Sequence, residues 1–126
     1  MTDVRNLLAA FDAIDGHWQP YRVTRLNDQD VKVVTVLGEF VWHAHPDTDE
    51  LFLVLAGELT IDLREDGVDR AVVLRPHDVF VVPRGVEHRP RADVETSAVL
   101  IERRGTVNTG DAGGDRTAPL RELPTT

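Results

Sequence analysis

Short apolar runs alternate with turn residues through most of the chain between residues 23 and 102. The runs are rich in valine, leucine and isoleucine, and their length and composition are typical of β-strands. Asp66 and Gly67, which lie between two such runs, indicate a tight hairpin. The pattern predicts strands over residues 23–26, 31–36, 39–45, 51–56, 59–63, 71–74, 79–82 and 97–102. Many short strands without an intervening helical pattern predict an all-β fold, either a sandwich or a small barrel.

The start of the chain follows a different, helical spacing. We predict a short N-terminal helix over residues 2–14, with Thr2 or Asp3 as its N-cap and Gly16 at its end. Its apolar stripe is expected to pack across the sheet. The residues that recur at helical intervals are Val4, Leu7, Leu8, Phe11 and Ile14.

The end of the chain differs again in composition. After residue 104 glycine, threonine, aspartate and proline dominate, and apolar residues are few. Such a segment is either mobile or strapped over the body of the protein. A length of 126 residues suits one domain with one core. We therefore predict a helix within residues 1–16, a barrel over residues 17–104 and a flexible or strapped tail over residues 105–126.

The predicted strand at residues 51–56 is apolar on both of its faces, so both faces must be covered. The even-numbered residues are expected to face the barrel interior, together with Glu50. Leu51, Leu53 and Leu55 face the other way, as Phe40 and Trp42 do on the preceding predicted strand. The second sheet and the N-terminal helix are one possible cover. We predict instead that a second copy of the chain covers this face in a homodimer.

Composition narrows the function classes. The chain has 14 basic and 22 acidic residues and a net charge of -8, which disfavours nucleic acid and anionic membranes as partners. It has no cysteine, which excludes disulfides and thiolate metal ligands. The N-terminus lacks the pattern of a secretory signal, and no apolar run approaches transmembrane length. We therefore expect a soluble cytoplasmic protein.

A candidate metal site lies where one predicted strand ends and the next begins. His43 and His45 are two residues apart, so they share a face of a strand. A turn rich in proline and aspartate leads to Glu50, whose carboxylate would lie beside both imidazoles. Asp49 is the alternative acid, because strand parity does not decide between the two. Two imidazoles and one carboxylate suit Fe, Mn, Ni, Cu or Zn.

A second stretch adds a lone histidine after a turn. Pro83, Gly85 and His88 form the pattern P-x-G-x-x-H, which matches the second motif of the cupin family. The first cupin motif is matched by Gly38, His43, His45, Glu50 and Gly57. Together the two motifs resemble those of the cupin family. Gly38 lies one residue nearer to His43 than is usual, and His77 stands where the second motif usually begins with glycine, so both departures concern turns rather than ligands.

The resemblance implies both a fold and a site. The fold would be the all-β cupin double-stranded β-helix, a jelly-roll barrel. His43, His45, Glu50 and His88 would hold one divalent transition metal inside it. Cupins generally pair as homodimers, which agrees with the expectation from the strand faces. The family includes oxygenases, isomerases, lyases, decarboxylases and non-catalytic binders, so the fold does not choose a function.

We expect a metal-dependent enzyme that acts on a small polar metabolite, by oxidation or by isomerisation or elimination through an enolate. A non-catalytic protein that binds or senses a small molecule through its metal is the alternative. The sequence has neither a glycine-rich phosphate loop nor a G-x-S-x-G motif. Any chemistry is therefore expected to depend on the metal.

Two further polar residues are candidates for contacts near the metal. Glu39 shares the parity of His43 and should face inward, where it either orients an imidazole or leaves the barrel at its rim to meet water. Arg84, in the turn before His88, is either an anchor for an anionic substrate or a solvated turn residue.

Overall fold

A single short helix and eight strands form the fold of the computed structural model, which describes residues 3–124. The helix α1 spans Leu7–Ala13. The strands are β1 Tyr21–Leu26, β2 Gln29–Glu39, β3 Glu50–Ala56, β4 Leu59–Glu65, β5 Val68–Leu74, β6 Val79–Val82, β7 Glu87–Arg103 and β8 Arg121–Glu122. Within residues 3–124, no helix has the length and apolar character that a membrane crossing requires.

The long strand β7 holds the two halves of the fold together. Its C-terminal part pairs with β2 on one side and with β3 on the other, and β6 continues that sheet beyond β3. Its N-terminal part pairs with β4, which in turn pairs with β5. Because one strand belongs to both sheets, the sheets close into a double-sheet barrel. The all-β fold predicted from the sequence is confirmed.

Two turns show why particular residues occur where the chain reverses. Asp66 and Gly67 both have positive φ, at 52° and 74°, and connect β4 to β5 as the two-residue hairpin that their sequence predicts. Gly57, after β3, has φ of +87°, and a Cβ there would collide with Thr96 Oγ1 and lie 2.8 Å from the Glu95 carbonyl oxygen. Glycine is therefore required at position 57 for backbone shape and for space.

Two apolar clusters lie on opposite faces of the larger sheet. The first fills the barrel, and its members include Val34, Val54, Leu59, Ile61 and Val82. The second lies outside the sheet beneath α1, and its buried members are Ala10, Tyr21, Val23, Val33, Val99 and Leu123. Leu53 and Leu55 of β3 pack partly buried against this outer cluster. The helix and the tail therefore cover part of the face for which the sequence predicted a second subunit.

The helix begins later than its apolar spacing predicted. Asn6 is the N-cap, and its side-chain oxygen accepts a hydrogen bond of 2.9 Å from the Ala9 amide. Asp3 precedes the helix, and Thr2 lies outside the described residues. The prediction that Asp3 caps the helix is therefore wrong, because the side chain of Asn6 bonds the free amide of Ala9 in the first turn.

The segment predicted as a strand at residues 39–45 is mostly irregular, and this part of the prediction is wrong. Strand β2 runs without a break to Glu39, with a bulge between Val36 and Gly38. Beyond it, only an isolated bridge between His43 and His88 continues the pairing. The bulge takes up the bend that the sequence indicated near Gly38.

Strand β7 is much longer than predicted, since it begins at Glu87 rather than near residue 97. Its first half alternates charged residues, exposed at Glu87 and half-buried at Arg89 and Arg91, with the buried residues His88, Pro90 and Ala92. None of these three is a strong strand former, and proline is normally confined to edge strands. The alternation is regular, but its inner residues are not the large aliphatic ones that signal a strand.

The C-terminal segment lies against the barrel. Strand β8 runs parallel to β1, and the Leu123 amide donates a hydrogen bond of 3.1 Å to the Arg22 carbonyl oxygen. Further upstream, the Asp111 amide donates a bond of 3.0 Å to the Ala44 carbonyl oxygen. The segment is thus fixed at two places, one of which lies between His43 and His45.

Candidate metal centre

The four predicted ligands come together inside the barrel. One potential ligand atom from each of His43, His45, Glu50 and His88 lies within 4.8 Å of the others, and all four residues are buried. They come from three separate parts of the chain. A cluster of three imidazoles and one carboxylate at these separations could hold a single metal ion.

Backbone pairing brings two of the histidines face to face. His43 and His88 form an antiparallel bridge in which each amide donates to the other carbonyl oxygen, at 3.0 Å and 2.8 Å. Directly opposed residues in such a bridge project their side chains to the same face. The two ring centroids are accordingly 4.3 Å apart.

The turn of the second motif is joined to the first motif. The Gly85 amide donates a hydrogen bond of 3.0 Å to the His45 carbonyl oxygen, and Gly85 has a φ of +81°. Glu50 is the first residue of β3 and pairs with Val82, which directly precedes this turn. The P-x-G sequence therefore aligns the two ends of the cluster. His77, the residue that replaces the usual glycine, has the left-handed φ of 77° that glycine favours.

Hydrogen bonds to backbone carbonyls orient two of the three imidazoles. His43 Nδ1 donates to the Val41 carbonyl oxygen at 2.9 Å, and His88 Nδ1 donates to the Val86 carbonyl oxygen at 3.0 Å. A carbonyl oxygen only accepts, so the proton of a neutral ring lies on Nδ1. The lone pair is then on Nε2, which is free to bind a metal while the other nitrogen donates its hydrogen bond.

The inner atoms of the cluster fit a cation. Glu50 Oε1 is 3.1 Å from His88 Nε2 and 3.4 Å from His45 Nε2. Among residues 3–124, His45 Nε2 is buried and has no hydrogen-bond partner. A buried nitrogen without a partner is costly, and electron-rich atoms that converge on one point repel each other unless a proton or a cation lies between them. Nitrogen and oxygen donors of this kind suit a divalent transition metal such as Fe, Mn, Ni, Cu or Zn.

Burial and neighbouring charges set the protonation of the cluster. Burial lowers the pKa of His43 to about 4, and the nearby His88 imidazole acts in the same direction. Burial acts to raise the pKa of Glu50, but the imidazoles of His45 and His88 outweigh it and hold that pKa well below its usual value. A neutral imidazole beside an ionised carboxylate is the state in which these groups bind a metal.

Acid should destabilise the metal-free protein between about pH 6.5 and pH 4. The folded state keeps His43 neutral to about pH 4, whereas the unfolded chain protonates it near pH 6.5, so the unfolded state binds more protons in this window. Neutral His43 makes its full contribution to the free energy of unfolding above pH 6.5. That free energy falls by about 3 kcal/mol as the pH falls to 4.

Urea unfolding of the chelator-treated protein at a series of pH values measures this loss. His43→Gln should flatten the dependence. His77→Asn, which removes an exposed histidine at a left-handed position that asparagine tolerates, should not. An equally steep dependence in His43→Gln and the wild type would contradict the assignment.

The cluster faces a cavity inside the barrel, with a volume of about 50 Å³, which is room for a few water-sized groups. His43 and Glu50 form part of its wall. Its polar lining residues beyond the cluster are Lys32, Glu102 and Asn108. The apolar part of the wall includes Val34, Val36, Phe40, Phe52 and Leu100.

Lys32 and Glu102 form a buried ion pair in this wall. Lys32 Nζ is 3.0 Å from Glu102 Oε2 and also donates to the Thr106 carbonyl oxygen at 3.4 Å. Both side chains are 2% exposed. Burial raises the pKa of Glu102 well above its usual value, the charge of Glu50 adds to this, and Lys32 opposes it. Glu102 Oε1 is buried without a hydrogen-bond partner among residues 3–124.

The other polar candidates lie outside the cluster. Asp49 is exposed and accepts hydrogen bonds from the amide and Nε of Arg84, so the pair occupies the outer surface of the turn. Glu39 is exposed and lies 3.2 Å from Arg89 Nη1, which corresponds to the rim position. None of these three side chains lies in the cluster.

Phe40 was placed wrongly by strand parity, since it lines the cavity instead of packing away from it. Its ring stacks on Trp18 at 4.8 Å and meets the edge of His43 at 5.4 Å. Parity fails because the chain leaves β2 before this residue. Sequence reasoning also missed Lys32 and Glu102, whose only local signal is a charged residue within an apolar strand.

Comparison with known proteins places this barrel in one family. A family model of the cupin domain matches residues 31–102. The uncharacterized protein YdbB of Bacillus subtilis (strain 168) is 36% identical over 102 residues, which are 81% of this chain and 88% of that protein. The crystal structure of a cupin-2 domain containing protein from Shewanella frigidimarina is 40% identical, with a TM-score of 0.75 over 80% of this chain and 95% of that one.

The chain belongs to the cupin family, as a small single-domain cupin. It also resembles a dioxygenase. The 3-hydroxyanthranilate 3,4-dioxygenase of Homo sapiens is 30% identical over 93 residues, which are 71% of this chain and 32% of that enzyme. The chain thus spans about a third of that dioxygenase.

Proposed function

We propose that the protein is a metal-dependent cupin enzyme that oxidises a small molecule with O₂. The observation that carries the proposal is the buried cluster of His43, His45, Glu50 and His88 beside a largely apolar cavity. When bound, a divalent transition ion would supply a Lewis acid or redox centre, and four protein ligands leave positions free on an ion that accepts six.

The side chains around the cavity define what they would do for a substrate. Phe40 and Phe52 contribute flat apolar surface that favours an apolar body and excludes water. Glu50 holds its charge at neutral pH and serves as an anionic ligand. Lys32 is the one lysine or arginine in the wall formed by described residues, and its pairing with Glu102 at 3.0 Å gives the wall a polar edge that favours a substrate with a polar end.

The dioxygenase relative supports oxidation over the other reactions open to such a centre. Its matched region covers most of this chain. Isomerisation or elimination through an enolate is the other reaction for the same residues. A non-catalytic metal-dependent binder is the second candidate, since the same cluster and cavity would also serve binding without turnover.

Anaerobic reconstitution with Fe, Mn, Ni, Cu or Zn, one at a time, should test the function. Oxygen uptake with a library of small phenols, hydroxy acids and keto acids, followed by incorporation of ¹⁸O₂ into the product, should identify an active combination. His88→Ala is the matched inactive control. Turnover without O₂ would support isomerisation or elimination, and stoichiometric binding without product would support the binder.

We also expect a homodimer. Strand β6 pairs only with β3 among the described strands, and its Val79 and Val81 are 57% and 44% exposed. They lie opposite Leu53 and Leu51, which are only partly buried. An apolar edge of this kind favours pairing with a second copy. Light scattering should give about twice the chain mass of 14.1 kDa, and a stable mass of one chain would contradict the dimer.

The cytoplasmic location and the division of the chain at residues 16 and 104 remain predictions from the sequence.

A further inference from the structure

Ala44, the residue between the two histidines of the first motif, is held on both sides by Asp111. The Ala44 amide donates a hydrogen bond of 2.8 Å to Asp111 Oδ1. The Asp111 amide in turn donates one of 3.0 Å to the Ala44 carbonyl oxygen. Two reciprocal bonds fix both peptide groups of Ala44. The backbone orientation of His43 and His45 is therefore set in part by a segment some 67 residues downstream.

His45 depends on this contact more than the other two histidines do. His43 and His88 are each oriented by a hydrogen bond from Nδ1 to a carbonyl oxygen two residues before them. Among residues 3–124, His45 Nδ1 makes no such bond. The backbone of Gly110 lies beside its ring, since a Cβ at that position would be 3.1 Å from His45 Nδ1 and would collide with the Ala44 carbonyl oxygen.

The loop that carries Gly110 and Asp111 is held in place by bonds of its own. Thr109 is fully buried, and its hydroxyl is 2.7 Å from that of Thr117. The Asn108 side chain donates to the Arg116 carbonyl oxygen at 2.9 Å and accepts from the Ala118 amide at 3.0 Å. The loop is therefore a preformed support rather than a loose end.

We infer that this loop is part of the metal centre, with Gly110 and Asp111 as positioning residues for His43 and His45. The inference rests on the proposed metal site. Gly110 permits close approach to the His45 ring, with a φ of +53° that glycine accepts readily. Asp111 fixes the peptide between the two ligands. Residues that orient metal ligands without touching the metal typically contribute 10- to 100-fold to metal affinity.

The test compares Asp111→Ala with Asp111→Asn in the full chain. Zn²⁺ affinity is measured by competition with a chromophoric chelator, and the visible spectrum of bound Co²⁺ reports ligand geometry. Asp111→Ala should bind Zn²⁺ about 10- to 100-fold more weakly and change the Co²⁺ spectrum. Asp111→Asn should recover most of the affinity, because an amide oxygen still accepts from the Ala44 amide.

Two further variants complete the design. Asp115 is an exposed acid of the same loop, and its side chain makes no hydrogen bond to residues 3–124. The control variant Asp115→Ala should therefore bind Zn²⁺ as the wild type does. Gly110→Ala leaves Asp111 intact and should also weaken Zn²⁺ binding and change the Co²⁺ spectrum, so it decides the matter if Asp111→Ala does not fold. The melting temperature of each metal-free variant shows whether the variant still folds. A variant that folds but binds Zn²⁺ weakly has lost the alignment of its metal ligands.

The outcomes distinguish this inference from the proposed function. Wild-type protein that binds neither metal would overturn both. A wild type that binds both metals, with unchanged affinity and spectrum in Asp111→Ala and Gly110→Ala, would overturn the positioning role alone. Weaker binding in both variants, with rescue by asparagine at position 111, would establish it.

Discussion

Replacement of His88 by alanine is expected to remove tight metal binding altogether. His88 faces His43 across a backbone bridge, and its Nε2 lies 3.1 Å from Glu50 Oε1, at the centre of the cluster. Loss of a residue that merely orients a ligand costs 10- to 100-fold in affinity, so the loss of a ligand should exceed about 100-fold. The free energy of unfolding should change as well, because the unfolded chain cannot hold four ligands together.

Metal analysis after dialysis and thermal unfolding with and without a chelator measure both effects. With free metal at about 100 times the Kd, the wild type should gain about 2.7 kcal/mol and melt at a higher temperature. The chelator should abolish this gain, and His88→Ala should lack it. His17→Ala is the control, since His17 forms an exposed pair with Glu95 at 2.9 Å. Full metal occupancy in His88→Ala would reject the ligand assignment.

Replacement of Glu102 by methionine should cause the second large effect, a loss of about 3–5 kcal/mol in the free energy of unfolding. In this variant the buried ammonium group of Lys32, whose side chain is 2% exposed, loses its counter-ion. Its remaining partner is the Thr106 carbonyl oxygen. An uncompensated buried charge is far more costly than a missing pair. The double variant Lys32→Met/Glu102→Met should therefore recover most of the stability, because similar apolar side chains replace both members.

Urea unfolding at pH 7 of the two single variants and the double variant gives the coupling free energy. Arg75→Met is a suitable control, because Arg75 forms an exposed ion pair with Glu58 at 3.4 Å, and such pairs contribute less than about 1 kcal/mol. A loss below 1 kcal/mol in Glu102→Met, or a double variant no more stable than the single one, would contradict this account.

The grouping of the four ligand-type residues could be predicted because most of its information is local. The spacing of His43 and His45, the turn before Glu50 and the P-x-G turn before His88 each describe a short piece of backbone. The resemblance to cupin motifs then joined these pieces. The hairpin at Asp66 and Gly67 was predictable for the same reason, since the two residues themselves adopt the required positive φ.

The parts that could not be predicted depend on contacts between distant segments. Lys32 and Glu102 are 70 residues apart, and nothing local to either shows that the other neutralises it. The bond from Ala44 to Asp111 spans 67 residues and lies in a segment whose composition resembles a loose tail. The inward position of Phe40 follows from the end of β2 at Glu39, because strand parity does not apply to the irregular backbone after it.

Strand β7 has a consequence for hydrogen exchange. It carries His88 near one end and Glu102 at the other, and it is bonded to β2, β3 and β4 along its length. Amides in such a strand exchange only when both sheets separate, which is the global opening of the molecule. Occupancy of the metal centre should therefore slow exchange at amides across both sheets by a common factor, because the metal binds the folded state and global opening separates its ligands.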